Sequence, residues 1–75
     1  MLFRSEFAFT SVIRWFSERG FGVQFTADDD EHGERFFWAD LTSLPSGGVV
    51  APMYGRGKTE LAAARKAKER FEVEQ

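Results

Sequence analysis

The chain has 75 residues, nine Phe, two Trp and one Tyr, no cysteine, and a net charge of −2. That length holds one small domain, and the missing thiols exclude disulfide staples and cysteine-based zinc sites, so packing of the aromatic side chains has to provide the stability. Arg4, Glu6 and Arg14 interrupt the N-terminal apolar residues before they reach the length of a secretory leader. Nor does any stretch approach the roughly 20 apolar residues of a membrane span, so the sequence reads as a cytoplasmic protein with no membrane segment.

Phe9, Val12, Ile13 and Phe16 recur at i, i+3, i+4 and i+7, which predicts a first helix starting within residues 5–10 and stopped by Gly20. Trp15 falls on the flank of that stripe, at the core edge or on a contact surface. Residues 21–26 alternate apolar with small or polar side chains, as a half-buried strand does. The stretch from Asp28 to Gly33 then reads as a loop, with Gly33 suited to positive φ. Residues 35–41 form a second strand that is aromatic on both faces. Residues 44–48 turn the chain, and residues 49–54 form a third strand, where Pro52 demands an edge or a bulge.

Gly55-Arg56-Gly57-Lys58-Thr59 reads as a tight glycine turn into the last helix, with Thr59 as the capping oxygen. In that helix Ala63, Ala64, Ala67 and Phe71 share one face and predict close packing on a sheet. Arg65, Lys66 and Glu69 point away from it, while Lys68 and Arg70 flank it. The fold class is α+β: a single domain over residues 1–75 in the order α-β-β-β-α, with a three-stranded antiparallel sheet and two helices on one face. An edge third strand allows a monomer or a homodimer.

Charge is unevenly distributed. Asp28, Asp29, Asp30, Glu31 and Glu34 form an acidic run, whereas Arg56, Lys58, Arg65, Lys66, Lys68 and Arg70 crowd the C-terminal third. Read linearly, this places an acid cluster at one end and a basic helix at the other. The first expectation for both is a solvated surface.

Catalytic patterns are missing. A nucleotide-binding loop needs a glycine five positions before Gly57, where this chain has Pro52. His32 is the only histidine, which argues against a metal site, and the acids around it lack the calcium-loop spacing. No serine stands in a nucleophile-elbow context. The chain is therefore expected to be non-catalytic, without metal or cofactor, although Lys58 and the helix start could hold an anion.

The element order, together with Gly55-Arg56-Gly57-Lys58-Thr59 followed by Ala63 and Ala67, resembles the double-stranded RNA-binding domain. His32 and Phe36 are similar to that family's histidine in the first hairpin and its strand phenylalanine. The C-terminal half is also similar to HicB-type antitoxins. The first resemblance implies lysines directly after the capping residue and another three to four residues on, which reach phosphates across the A-form groove. Here those positions hold Glu60, Leu61 and Ala64, and the hairpin that the family pushes into the minor groove carries Asp28, Asp29, Asp30 and Glu31. Carboxylates there would repel phosphate.

Two functional expectations follow. The first is a small protein-binding module of inhibitor, antitoxin or adaptor type. Asp28, Asp29, Asp30 and Glu31 would meet a basic partner, of the kind that otherwise holds nucleic acid, with Trp15, Trp38 and Tyr54 as aromatic anchors. The second is an RNA binder using Arg56, Lys58, Arg65, Lys66 and Lys68.

Overall fold

The computed structural model describes residues 4–74, and the side chains of residues 7–74. Its elements are α1 (Arg4–Ser17), β1 (Phe21–Asp29), β2 (Arg35–Ser43), β3 (Val49–Gly57) and α2 (Glu60–Glu74). The strands form one antiparallel sheet in the order β1-β2-β3, and the helices pack against it, giving the expected α+β class. No described helix is long and apolar enough to cross a membrane.

Helix α1 buries Val12 and Phe16 and half-buries Phe9 and Ile13, so the stripe seen in the sequence does face inward. It begins at Arg4, just before the expected window. Nothing in its first turn breaks a helix, and periodicity alone cannot locate an end that lacks a Pro or Gly. Its C-terminus is sharper. Gly20 adopts φ +88° and its N–H donates to the Ser17 carbonyl at 3.0 Å, a left-handed stop that disfavours a side chain. Phe16 is fully buried, and its ring meets Phe71 of α2 edge-on at 5.8 Å. Phe71 also takes Trp15 and Phe21 edge-on, each at 5.5 Å, which ties both helices to β1.

Strand β1 runs through Asp29, so Asp28 and Asp29 are strand residues and not part of a loop. Its pairing with β2 is unbroken from Phe21↔Ser43 to Asp29↔Arg35. Asp is a poor strand former, but Asp29 lies opposite Arg35, with its carboxylate 3.6 Å from the guanidinium. Such a cross-strand pair offsets part of the local preference. The reversal is confined to Asp30–Glu34: the Asp30 N–H donates to the Glu34 carbonyl at 2.9 Å, and Gly33 adopts φ +78°. Likewise β2 extends to Ser43, two residues past the expected end.

The largest departure is in β3, which continues to Gly57. Gly55 and Gly57 therefore do not form a turn, and neither has positive φ. What they supply is closeness. A Cβ on Gly55 would land on the Ala63 carbonyl oxygen and 2.5 Å from the Ala67 nitrogen; one on Gly57 would lie 2.5 Å from the Ala63 nitrogen. Helix α2 thus rests its Ala63, Ala64 and Ala67, all fully buried, directly on the β3 backbone. Only Lys58 and Thr59 remain to change direction. Thr59 caps α2 as expected, its hydroxyl accepting the Ala62 N–H at 3.0 Å. Thr59→Ala is expected to destabilise the domain by about 1 kcal/mol in urea denaturation, and Thr59→Ser to restore most of it.

Candidate functional site

The antiparallel register sets the layout of the site. The end of β1, the start of β2 and the end of β3 meet at one side of the sheet, with Asp28 opposite Phe36 and Phe37 opposite Gly57. Acid run and basic turn are therefore neighbours. Asp30, Glu34, Arg35, Phe36, Arg56, Gly57 and Lys58 line one cleft of about 330 Å³. The expectation of acid and base at opposite ends is corrected for Arg56 and Lys58, because chain order does not show that the two outer strands flank β2 at the same end.

Within the hairpin the carboxylates divide by role. Asp30 is half-buried, and its Oδ1 accepts the N–H groups of His32 at 2.8 Å and Glu34 at 2.9 Å, locking the turn. Asp28 accepts the Asp29 N–H at 2.8 Å. Asp28, Asp29, Glu31 and Glu34 are exposed, and Glu31 lies 3.6 Å from His32 Nε2. Four carboxylates are thus displayed on a tip held by backbone pairing and by a fifth. Among the described residues, no three His, Asp or Glu side chains converge as a metal site.

Because Phe37, Ala39 and Leu41 face the helices, alternation sends Phe36, Trp38, Asp40 and Thr42 to the helix-free side of the sheet. There the Phe36 and Trp38 rings meet edge-on at 5.5 Å, and the Arg56 guanidinium lies 3.8 Å above Phe36 and 5.6 Å from Trp38. Phe36 is buried beneath this cover while Trp38 stays half-exposed. Next along the strand, buried Asp40 accepts the Met53 N–H at 2.6 Å and the Thr26 hydroxyl at 3.3 Å. This carboxylate stands in for a ladder bond where β3 loses register between Ala51 and Gly55. Met53 is driven to φ +50°, a conformation that costs free energy in a residue with a Cβ. The bulge allowed for by Pro52 is present, on an edge strand.

The other expected anchors lie elsewhere. Trp15 sits at the junction of the helices, with Arg19 stacked 3.7 Å over its ring and Lys68 Nζ 5.2 Å away. Tyr54 packs against the end of α2: its hydroxyl donates to Glu74 Oε1 at 3.3 Å, and Arg70 lies 4.4 Å over its ring. Desolvation by burial, and then the Glu74 carboxylate beside it, push the Tyr54 phenol above its ordinary value. Lys66 pairs with Glu69 at 3.4 Å on the outer face of α2, where Arg65 is also exposed. So Trp15, Tyr54 and Trp38 do not form one surface, and of the three only Trp38 stands near the acidic hairpin.

Asp40 and Arg35 were not singled out from sequence, and Phe36 and Glu34 were named there without a place among the candidate site residues. For Asp40 a signal existed: one carboxylate inside an otherwise apolar strand, which folding tolerates only when that carboxylate is hydrogen-bonded. For Phe36, alternation marks the face but not the Arg56 that covers it. No family model matches the chain, and no match was found among curated proteins or solved structures. What the structure shows is the α-β-β-β-α order and its three-stranded antiparallel sheet; the comparisons support neither the double-stranded RNA-binding domain nor HicB-type antitoxins as relatives.

Proposed function

We propose that this chain is a non-catalytic protein-binding module whose recognition surface is the hairpin end of the sheet. The observation that carries the reading is the ordered acidic tip. Asp28, Asp29, Glu31 and Glu34 are displayed on a turn that Asp30 holds through two N–H bonds. A preordered array loses less entropy on binding than a loose loop, and four carboxylates suit a basic protein surface. Trp38, half-exposed on the helix-free face, supplies the aromatic contact at its edge.

The basic side chains support this reading over the RNA reading. Lys66 pairs with Glu69, Lys68 approaches Trp15, and Glu60 occupies the first turn of α2. Each engaged cation is less available to neutralise a phosphate.

The deciding comparison uses two variants. Asp28→Asn/Asp29→Asn/Glu31→Gln/Glu34→Gln leaves the structural Asp30 intact, and Arg65→Gln/Lys66→Gln/Lys68→Gln removes the basic face of α2. Capture of a basic protein partner at physiological salt is expected to weaken by at least about tenfold in the first and to change little in the second. Duplex RNA binding that survives physiological salt and is lost only in the second variant would reverse the assignment.

A further inference from the structure

We infer that the cleft between the β1–β2 turn and the β3–α2 junction is a binding site for a carboxylate. The cleft is lined by three cationic side chains, Arg35, Arg56 and Lys58, and two carboxylates, Asp30 and Glu34, over the buried ring of Phe36. Arg35 is matched by Asp29 at 3.6 Å, and Asp30 is bound by the N–H groups of its own turn. Arg56 and Lys58 are in a different state. The ion pairs among the described residues use neither of them.

Arg56 is also oriented. Its guanidinium carbon lies 3.8 Å from the Phe36 ring centroid, and no side-chain hydrogen bond among the described residues uses its N–H groups. A planar fork held at a cleft wall fits the two oxygens of a carboxylate, and Lys58 beside it adds a point charge. With Arg35 matched by Asp29, Arg56 and Lys58 stand against Asp30 and Glu34, and a cleft with no excess positive charge favours a singly charged ligand over a dianion. A phosphate dianion would face Asp30 and Glu34 at close range, and that repulsion sets the preference. The carboxylate has two possible sources, a chain terminus and an acidic side chain. The inference does not rest on the hairpin reading, since small acids in place of any partner should fill the site.

The test titrates the full-length ¹⁵N-labelled chain at constant ionic strength with N-acetylglycine, N-acetylaspartate amide and inorganic phosphate. The signals followed are the Gly57 and Lys58 amides and the Arg56 side-chain Nε–H. Saturable shifts with a Kd on the order of millimolar are expected for the carboxylates, and whichever of the two binds more tightly identifies the source. Lys58→Gln, at an exposed position, and Arg56→Lys, which keeps the charge but loses the fork, are each expected to weaken binding by about tenfold. Dispersed amide spectra confirm that both variants remain folded. A linear, unsaturable response overturns the inference, as does tighter saturation by phosphate than by either carboxylate. An Arg56→Lys variant that binds as the parent does would also overturn it.

Discussion

Gly55→Ala is expected to lower the unfolding free energy by about 3 kcal/mol, the upper range for overpacking. A domain of this size has a total of about 4–11 kcal/mol, so the loss is severe. The added methyl would land on the Ala63 carbonyl and the Ala67 amide, backbone atoms that cannot rotate aside as a side-chain tip would. The only relief is for α2 to lift off β3, which opens the layer of fully buried Ala63, Ala64 and Ala67. Gly57→Ala meets the same helix at the Ala63 nitrogen and at Ala62, and is expected to behave alike.

Because one lift of α2 relieves both contacts, the double substitution should cost clearly less than the sum of the two single ones. Urea denaturation followed by Trp fluorescence and by circular dichroism measures all three. Full additivity would show that each glycine answers to a separate local constraint, such as backbone conformation, and not to the shared helix. The absence of positive φ at either position argues against that alternative.

Asp40→Ala is the second large effect, a loss of about 2 kcal/mol, because it removes the acceptor of the part-buried Met53 N–H and leaves that donor unpaired within the sheet. Asp40 is 9% exposed and accepts the Met53 N–H at 2.6 Å; with that acceptor gone, the bulge that holds Met53 at φ +50° has no internal partner for its donor. Asp40→Asn separates hydrogen bonding from charge. Its amide oxygen can still accept from Met53, and its NH₂ can donate to the Thr26 hydroxyl, which reverses its role from donor to acceptor. Asn is therefore expected to retain more than half of the stability lost in Ala. Equal losses in Ala and Asn would mean that the charge itself is required. Hydrogen exchange at the Met53 amide gives a second readout, with protection reduced in Ala and largely kept in Asn.

Much of the architecture was legible residue by residue. Phe9, Val12, Ile13 and Phe16 mark a helix face because 3.6-residue periodicity survives in any fold that buries that face. Ala63, Ala64, Ala67 and Phe71 do the same for α2, and the stops at Gly20 and Gly33 follow from φ values that disfavour a Cβ. Strand ends were another matter. Asp28 and Asp29 on β1, and Gly55 and Gly57 on β3, are locally poor strand formers. Their state is decided by Arg35, Phe36 and the alanines of α2, partners that lie far away in the chain or across the sheet.

The candidate site was legible only in its parts. The carboxylates of the hairpin and the cations of residues 56–58 are visible in the chain as two separate charge runs. That they share a cleft is a property of antiparallel register. Trp15 and Tyr54 show what the sequence leaves open. Trp15 reads as core edge or contact surface, and the structure sets it against Phe71, Arg19 and Lys68, with Tyr54 against Arg70 and Glu74.

By itself, then, the sequence determined the order α-β-β-β-α, the inward faces of both helices and an edge or a bulge at Pro52 of β3, because periodicity, capping and proline act over a few neighbouring residues. Tertiary structure alone decided that the glycines of residues 55–59 serve close packing and not a turn. It also decided that Asp40 holds a strained bulge, and that Arg56 and Lys58 stand beside Asp30 and Glu34. The physical reason is the same in each case: steric closeness, a buried hydrogen bond and a shared electrostatic cleft are relations between residues distant in the chain, and only the packed sheet and helices bring them into contact.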